Sequence, residues 1–427
     1  MKTLATLGGY PGDLAVSAST SKALDAGAIV EASRLTAGRL ALLASLAALG
    51  ALATNIMLPA FPPIARDLGV HPRELALTLS VFFVVFACGQ VFVGPLADAL
   101  GRRPFVLGGL ALFLVGSLVC SLASTLPVLI GGRAVQAVGA CAASVLARAI
   151  ARDLFHGPEL TRTLALVMIA TAAAPGFSPA LGTAMTTLFG WRSVFLLVGA
   201  AGVLVALAYR NNIGETLPRE ARRPAHALAV MRSYAELLID LRFLAPALAV
   251  SLVIGCLYSF FGAAPSILMT GMGVGPTGLS LFFAATVLVV FGSGLLTPRL
   301  ARRWGAAPVG MAGIAMTLAS GLWLLSQVGS RAPAPFMAAV TLFLAGMGLI
   351  NPIATGLTLE PFGDRAGVAS ALLGFLQMGC AAIGTSLVGA LPLSPTGAFA
   401  WIVGGSSALA MVSFAYVVRS TRRQQLA

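Results

Sequence analysis

Gly94-Pro95-Leu96-Ala97-Asp98-Ala99-Leu100-Gly101-Arg102-Arg103-Pro104 is a short polar turn set between two long apolar runs. It carries an acid and two arginines in a chain that is 58% hydrophobic and only 10% charged. Mean hydropathy is +0.94. A soluble domain of 427 residues needs far more charge to cover its surface. Working outward from the turn, runs of about twenty nearly uncharged residues recur along the chain, the length a helix needs to cross a bilayer. The period-2 alternation of a transmembrane barrel is absent. The fold class is an all-α polytopic membrane protein, with the lipid bilayer as its surroundings.

The apolar runs fall near 38–60, 76–97, 104–123, 127–150, 163–188 and 192–209, then near 243–268, 279–300, 308–327, 335–358, 366–391 and 397–418. That predicts about twelve transmembrane helices in two six-helix halves, 38–209 and 243–418. An Arg-rich linker at 210–242 joins them, and a basic tail follows at 419–427. Residues 1–37 lack the apolar core of a signal peptide and read as a cytoplasmic tail.

With the N-terminus inside, only Arg66, Arg73, Arg192 and Arg331 fall on the outer side, and Arg133 lies within a span. The other basic residues lie on one side, so both termini are expected in the cytoplasm. The net charge of +13 is therefore topology-setting charge in short connections, not a nucleic-acid surface. The five cysteines, Cys88, Cys120, Cys141, Cys256 and Cys380, lie inside apolar runs without paired spacing and read as packing residues. No cofactor or metal is expected. Gly94, Leu96, Leu100, Arg102 and Arg103 recur as Gly294, Leu296, Leu300, Arg302 and Arg303, which suggests two like-oriented halves.

The 94–103 turn resembles the loop 2–3 signature of the major facilitator superfamily, with Ala99 where a basic residue is usual. Arg133-Ala-Val-Gln136-Ala-Val-Gly139 resembles the fourth-span motif, with Ala137 in place of a glycine. The segments 147–153, 174–182, 190–192 and 359–363, and then 369–374, are similar to the Bcr/CflA branch of drug exporters. The resemblance implies a secondary active efflux transporter of drug-like or metabolite molecules, a proton-coupled antiporter in a bacterial-type inner (plasma) membrane. Its partners would be a small-molecule substrate and protons. An uncoupled facilitator or a metabolite-anion transporter using Arg133 is the alternative. A membrane enzyme is disfavoured, because no convergent set of acids, histidines or metal ligands is present.

The same resemblance implies a gate of Gly94, Asp98, Gly101, Arg102, Arg103, Arg148 and Asp153, in which Asp98 docks on the start of the eleventh span near Ala366 and Gly367. Asp153 is a second acid that Arg102 or Arg103 could reach. Pro175, Gly176, Pro179 and Gly182 resemble the antiporter-type helix motif and imply a contact with the eighth span. Arg133 is expected to face the bundle interior, since a guanidinium at a span centre costs about 2.5–3.5 kcal/mol. It would serve as a substrate or proton-pathway residue with Gln136, or else bind backbone carbonyls of the first span. Asn55 stands where the resembling first-span motif has an acid, so no mid-membrane carboxylate or imidazole is evident. Gln90, Tyr258, Phe261, Asn351 and Gln377 complete the candidate substrate contacts. A mainly apolar cavity suits amphiphilic compounds.

Overall fold

The computed structural model describes residues 36–222 and 227–426; of the expected tail at 1–37 the first 35 residues, together with Arg223 and His226, lie outside the described residues. Twelve helices among the described residues are long and apolar enough to cross a membrane. They are Ala37–Leu68, Pro72–Leu100, Arg102–Ser121, Leu126–Leu154, Gly157–Phe189 and Arg192–Asn212, then Leu241–Gly271, Pro276–Trp304, Ala306–Ser326, Pro333–Gly363, Ala366–Ala390 and Pro395–Ser420. Most run beyond the apolar stretches, because helix continues through the polar residues at their ends. Between the halves a linker helix, Ala227–Ile239, forms where the sequence reading expects only a connection. We call the side bearing this linker the linker face.

Two spans depart from regular α-helix for identifiable reasons. The first runs as Ala37–Asn55, tightens over Leu58–Ala60 and resumes as Phe61–Leu68. Pro59, Pro62 and Pro63 have no N–H to donate, so the ladder breaks just after Asn55. The seventh widens into a π-helix at Pro265–Gly271, again where a proline removes a donor.

The two-half repeat is real, but its register differs from that suggested by the matched residues. The first three spans of each half start 204 residues apart: 37 and 241, 72 and 276, 102 and 306. Gly101 (φ 103°) therefore corresponds to Gly305 (φ 87°), each ending a second span with a backbone that favours glycine. The matches of Arg102 with Arg302 and of Arg103 with Arg303, spaced by two hundred residues, are offset from this register by about one helical turn. In the structural register Arg302 stands opposite Asp98, so the second half lacks the acid of the first.

Within each half, small residues let helices meet backbone to backbone. A Cβ on Gly313 would stand 2.8 Å from the Gly346 carbonyl oxygen. Between halves, the second span packs along the eleventh and the fifth along the eighth.

Candidate functional site

A cavity of about 1110 Å³ separates the halves. It reaches from Thr54, Phe82 and Phe83 at mid-span to Asp98, Arg152 and Gly367 at the linker face. Its walls combine an aromatic shelf with a few polar side chains, Gln90, Tyr258, Asn351 and Gln377 among them. The Phe82 and Phe86 rings stack with centroids 6.0 Å apart, and Phe83 meets Tyr258 across the halves at 4.7 Å. Gln90 also abuts Gly374, so the second and eleventh spans touch there with no room for a side chain.

The opposite face is closed. Arg73 donates from Nη2 to the Gly389 carbonyl oxygen at 2.7 Å, tying the second span to the end of the eleventh. Thr183 and Ser280 share a 3.0 Å hydrogen bond between the fifth and eighth spans. Gly176 packs against Val287 of the eighth span, where a Cβ would lie 3.1 Å from Val287 Cγ2. Gly182 instead packs against the Ile56 carbonyl at the break in the first span. Pro175 and Pro179 lie inside the continuous fifth helix. On the same closed side Trp191 Nε1 donates to Asp67 at 2.7 Å.

Arg133 is not in the cavity wall. It is fully buried, and its Nη1 donates to the Ala53 carbonyl oxygen at 3.1 Å and to Gln136 Oε1. Its guanidinium carbon lies 4.3 Å from the Phe82 ring centroid. Gln136 in turn donates to Ser117 Oγ at 2.8 Å, so the pair ties the fourth span to the first and third. This is the backbone-carbonyl arrangement that the sequence leaves open for Arg133. Asn55 is also buried away from the cavity, donating to the Ala51 carbonyl oxygen at 2.8 Å. Phe261 packs among Tyr258, Phe260 and Phe283 rather than lining the cavity.

The gate residues are partly brought together. Arg102 pairs with Asp98 at 2.5 Å and with Asp153 at 3.0 Å. Asp98 does not cap the eleventh span: the start of that helix has no side-chain cap, and Gly367 faces the cavity. The physical reason is the open cavity, which separates Asp98 from that helix end. Gly94 lines the cavity near Asp98. Glu215, which sequence reasoning passed over, caps the third span: Arg102 N–H donates to it at 2.8 Å and Arg103 N–H at 3.3 Å. Thr216 donates to Asp153 at 3.0 Å. An acid directly after the sixth span, facing an arginine-rich turn, was the available signal.

Arg148 is the larger surprise. It sits on the cavity side of the fourth span, one turn from Ser144 and one from Arg152, and all three line the cavity. The linker helix reaches the same mouth. Tyr234 donates its hydroxyl to the Val91 carbonyl oxygen at 3.3 Å, and Arg365 donates to Glu236 at 2.8 Å. Burial pushes the Tyr234 hydroxyl up from its ordinary range. The Arg365 hydrogen bond holds the Glu236 carboxyl below its own.

A model described as Major Facilitator Superfamily matches residues 43–385. The chain is similar to multidrug resistance protein D of Escherichia coli, 30% identical over 365 residues covering 84% of this chain and 90% of that one. It is also similar to a bicyclomycin resistance protein homolog of Haemophilus influenzae, 26% identical over 364 residues covering 85% and 92%. Among solved structures a D-xylose–proton symporter shares the fold, with a TM-score of 0.70 at 15% identity over 88% of this chain and 96% of that one.

Proposed function

This chain belongs to the Major Facilitator Superfamily of membrane transporters, and we propose that it exports amphiphilic, drug-like molecules from the cytoplasm by alternating access. The observation that carries the proposal is the aromatic and amide-lined cavity of about 1110 Å³ between the halves, open at the linker face and tied shut opposite it by Arg73 and Gly389. The arginine-rich linker face is the cytoplasmic side by the positive-inside rule, in a bacterial plasma membrane. The conformation described is thus the loading state. Relatives named for drug resistance support the export direction.

Export is coupled to proton entry in this reading. Asp98 is the one carboxylate among the described cavity-lining residues, and its half-exposed side chain faces the vestibule. A second reading, uncoupled facilitation, draws on Asn55, which leaves the buried break of the first span without an acid. Energised inverted vesicles separate the two. Adding a transported compound discharges the pH gradient if the antiport reading holds; flux without discharge leaves the facilitator.

The export reading itself is tested in a pump-deficient bacterial strain carrying either the wild-type chain or Ala371→Trp, which fills the cavity wall. Raised tolerance to amphiphilic antibiotics with the wild type alone is expected. Unchanged tolerance across such a panel would reject export.

A further inference from the structure

We infer that the cavity selects amphiphilic organic anions and that Arg148 is the residue that holds their anionic group. The inference rests on the export reading for the cavity's role and adds the substrate class.

The argument starts from charge. Among the described residues Asp98 is the acid on the cavity wall, against Arg102, Arg148 and Arg152, so the described lining carries a net charge of +2. Arg102 is already satisfied by Asp98 and Asp153. Neither Arg148 nor Arg152 has a hydrogen-bond or carboxylate partner among the described residues. Arg152 is exposed, where water solvates it. Arg148 is half-buried against the cavity, with five donors and no hydrogen-bond acceptor among the described residues. A partly desolvated guanidinium without an acceptor is costly, and an incoming anion supplies what is missing. The same field repels lipophilic cations.

Position then gives the shape of the ligand. Cys141, seven residues before Arg148 on the same helix, lies against Phe86, its Sγ 3.3 Å from the Phe86 carbonyl oxygen. Seven residues of helix rise about 10 Å, so the Phe86 end of the shelf lies about 10 Å deeper than the Arg148 backbone, with Phe82 one turn deeper still. The Cα–Cβ bond of a helical residue tilts toward the helix N-terminus, which here is the deep end of the cavity. An aromatic body resting on the shelf with an acidic group a few bonds away would meet the guanidinium. Arg152, one turn nearer the mouth, would draw such anions in from the cytoplasm.

The test uses the full chain in phosphatidylcholine nanodiscs with a matched pair of probes, 1-naphthaleneacetate and the uncharged 1-naphthaleneacetamide. The wild type should bind the acid about tenfold or more tightly than the amide. Arg148→Gln should lose that preference while still binding the amide, which shows that the cavity remains folded. Arg148→Lys should keep part of the preference. Equal binding of both probes by wild type and Arg148→Gln overturns the anion assignment and leaves export standing; binding of neither probe by the wild type overturns both. If phosphatidylglycerol in the nanodisc abolishes acid binding, the anion that Arg148 takes is a lipid headgroup, and the assignment also fails.

Discussion

Replacing Arg73 by Met removes the charged donor that ties the face opposite the linker, the outer face in the proposed orientation, while keeping most of the apolar stem. Arg73 Nη2 lies 2.7 Å from the Gly389 carbonyl oxygen and 3.5 Å from that of Leu391. A hydrogen bond from a charged group contributes about 1.5–3 kcal/mol net, and partial exposure places this one at the lower end. Since 1.4 kcal/mol is tenfold, the balance between cytoplasm-open and outward-open states should move about tenfold toward outward-open. Spin labels introduced at Ser124 and Arg331, at the outer ends of the third and ninth spans, report that balance as two distance populations after the exposed Cys88 is replaced. The ratio of long to short distances should rise by about tenfold in Arg73→Met. An unchanged ratio would refute the assignment of this contact as the outer tie.

Three further outcomes are expected. Gly182→Val should fail to give folded protein, because its side chain would enter the Ile56 carbonyl, whereas Gly176→Ala should fold, since its neighbour is the movable side chain of Val287; detergent-extracted yield and thermal melting distinguish them. Arg133→Gln should lower thermal stability by about 1.5–3 kcal/mol by breaking the bond to Ala53, and should reduce transport of neutral and anionic compounds alike; selective loss of anions would contradict the bracing role. The Glu236 carboxyl is depressed in the folded state, so its contribution to holding the linker helix is present above the ordinary carboxylate range and is lost as the pH falls through its lowered folded value. Amide exchange over 227–239 should therefore accelerate below that range in the wild type, and Glu236→Gln should already exchange fast at neutral pH.

Much of the architecture was legible in the chain. Span count and the break between halves follow from run length, because hydrocarbon thickness leaves little freedom. The cavity was harder, because lipid-facing and core-facing helix sides are both apolar, so periodicity does not reveal which side turns inward. That is why Arg133, the charge deepest within a run, attracted the substrate role although it braces the first span from behind the cavity wall. The resemblance implies a gate role for Arg148, whose apolar run ends near 150, whereas the helix continues to Leu154 and carries Arg148 along the cavity wall. Gln90, Tyr258, Asn351 and Gln377 line the cavity and were legible as candidates because polar side chains in spans are rare. Phe82 and Phe86 were not, since aromatic residues in a span carry no mark that separates a shelf from packing. The repeat reads one helical turn out of register in the sequence because Leu and Gly recur often enough to align there.

The central claim, export through a cavity open to the cytoplasm, is tested most directly by a single thiol in its wall. Ser370→Cys, with Cys88 and Cys380 replaced, places one on the eleventh span beside the cavity mouth. A membrane-impermeant maleimide added to inverted vesicles should modify this thiol rapidly and stop transport of the compound that the resistance panel identifies. In right-side-out vesicles the same reagent should leave transport intact until turnover exposes the site. Rapid modification from the outer side, or modification from the cytoplasmic side without loss of transport, would contradict the account.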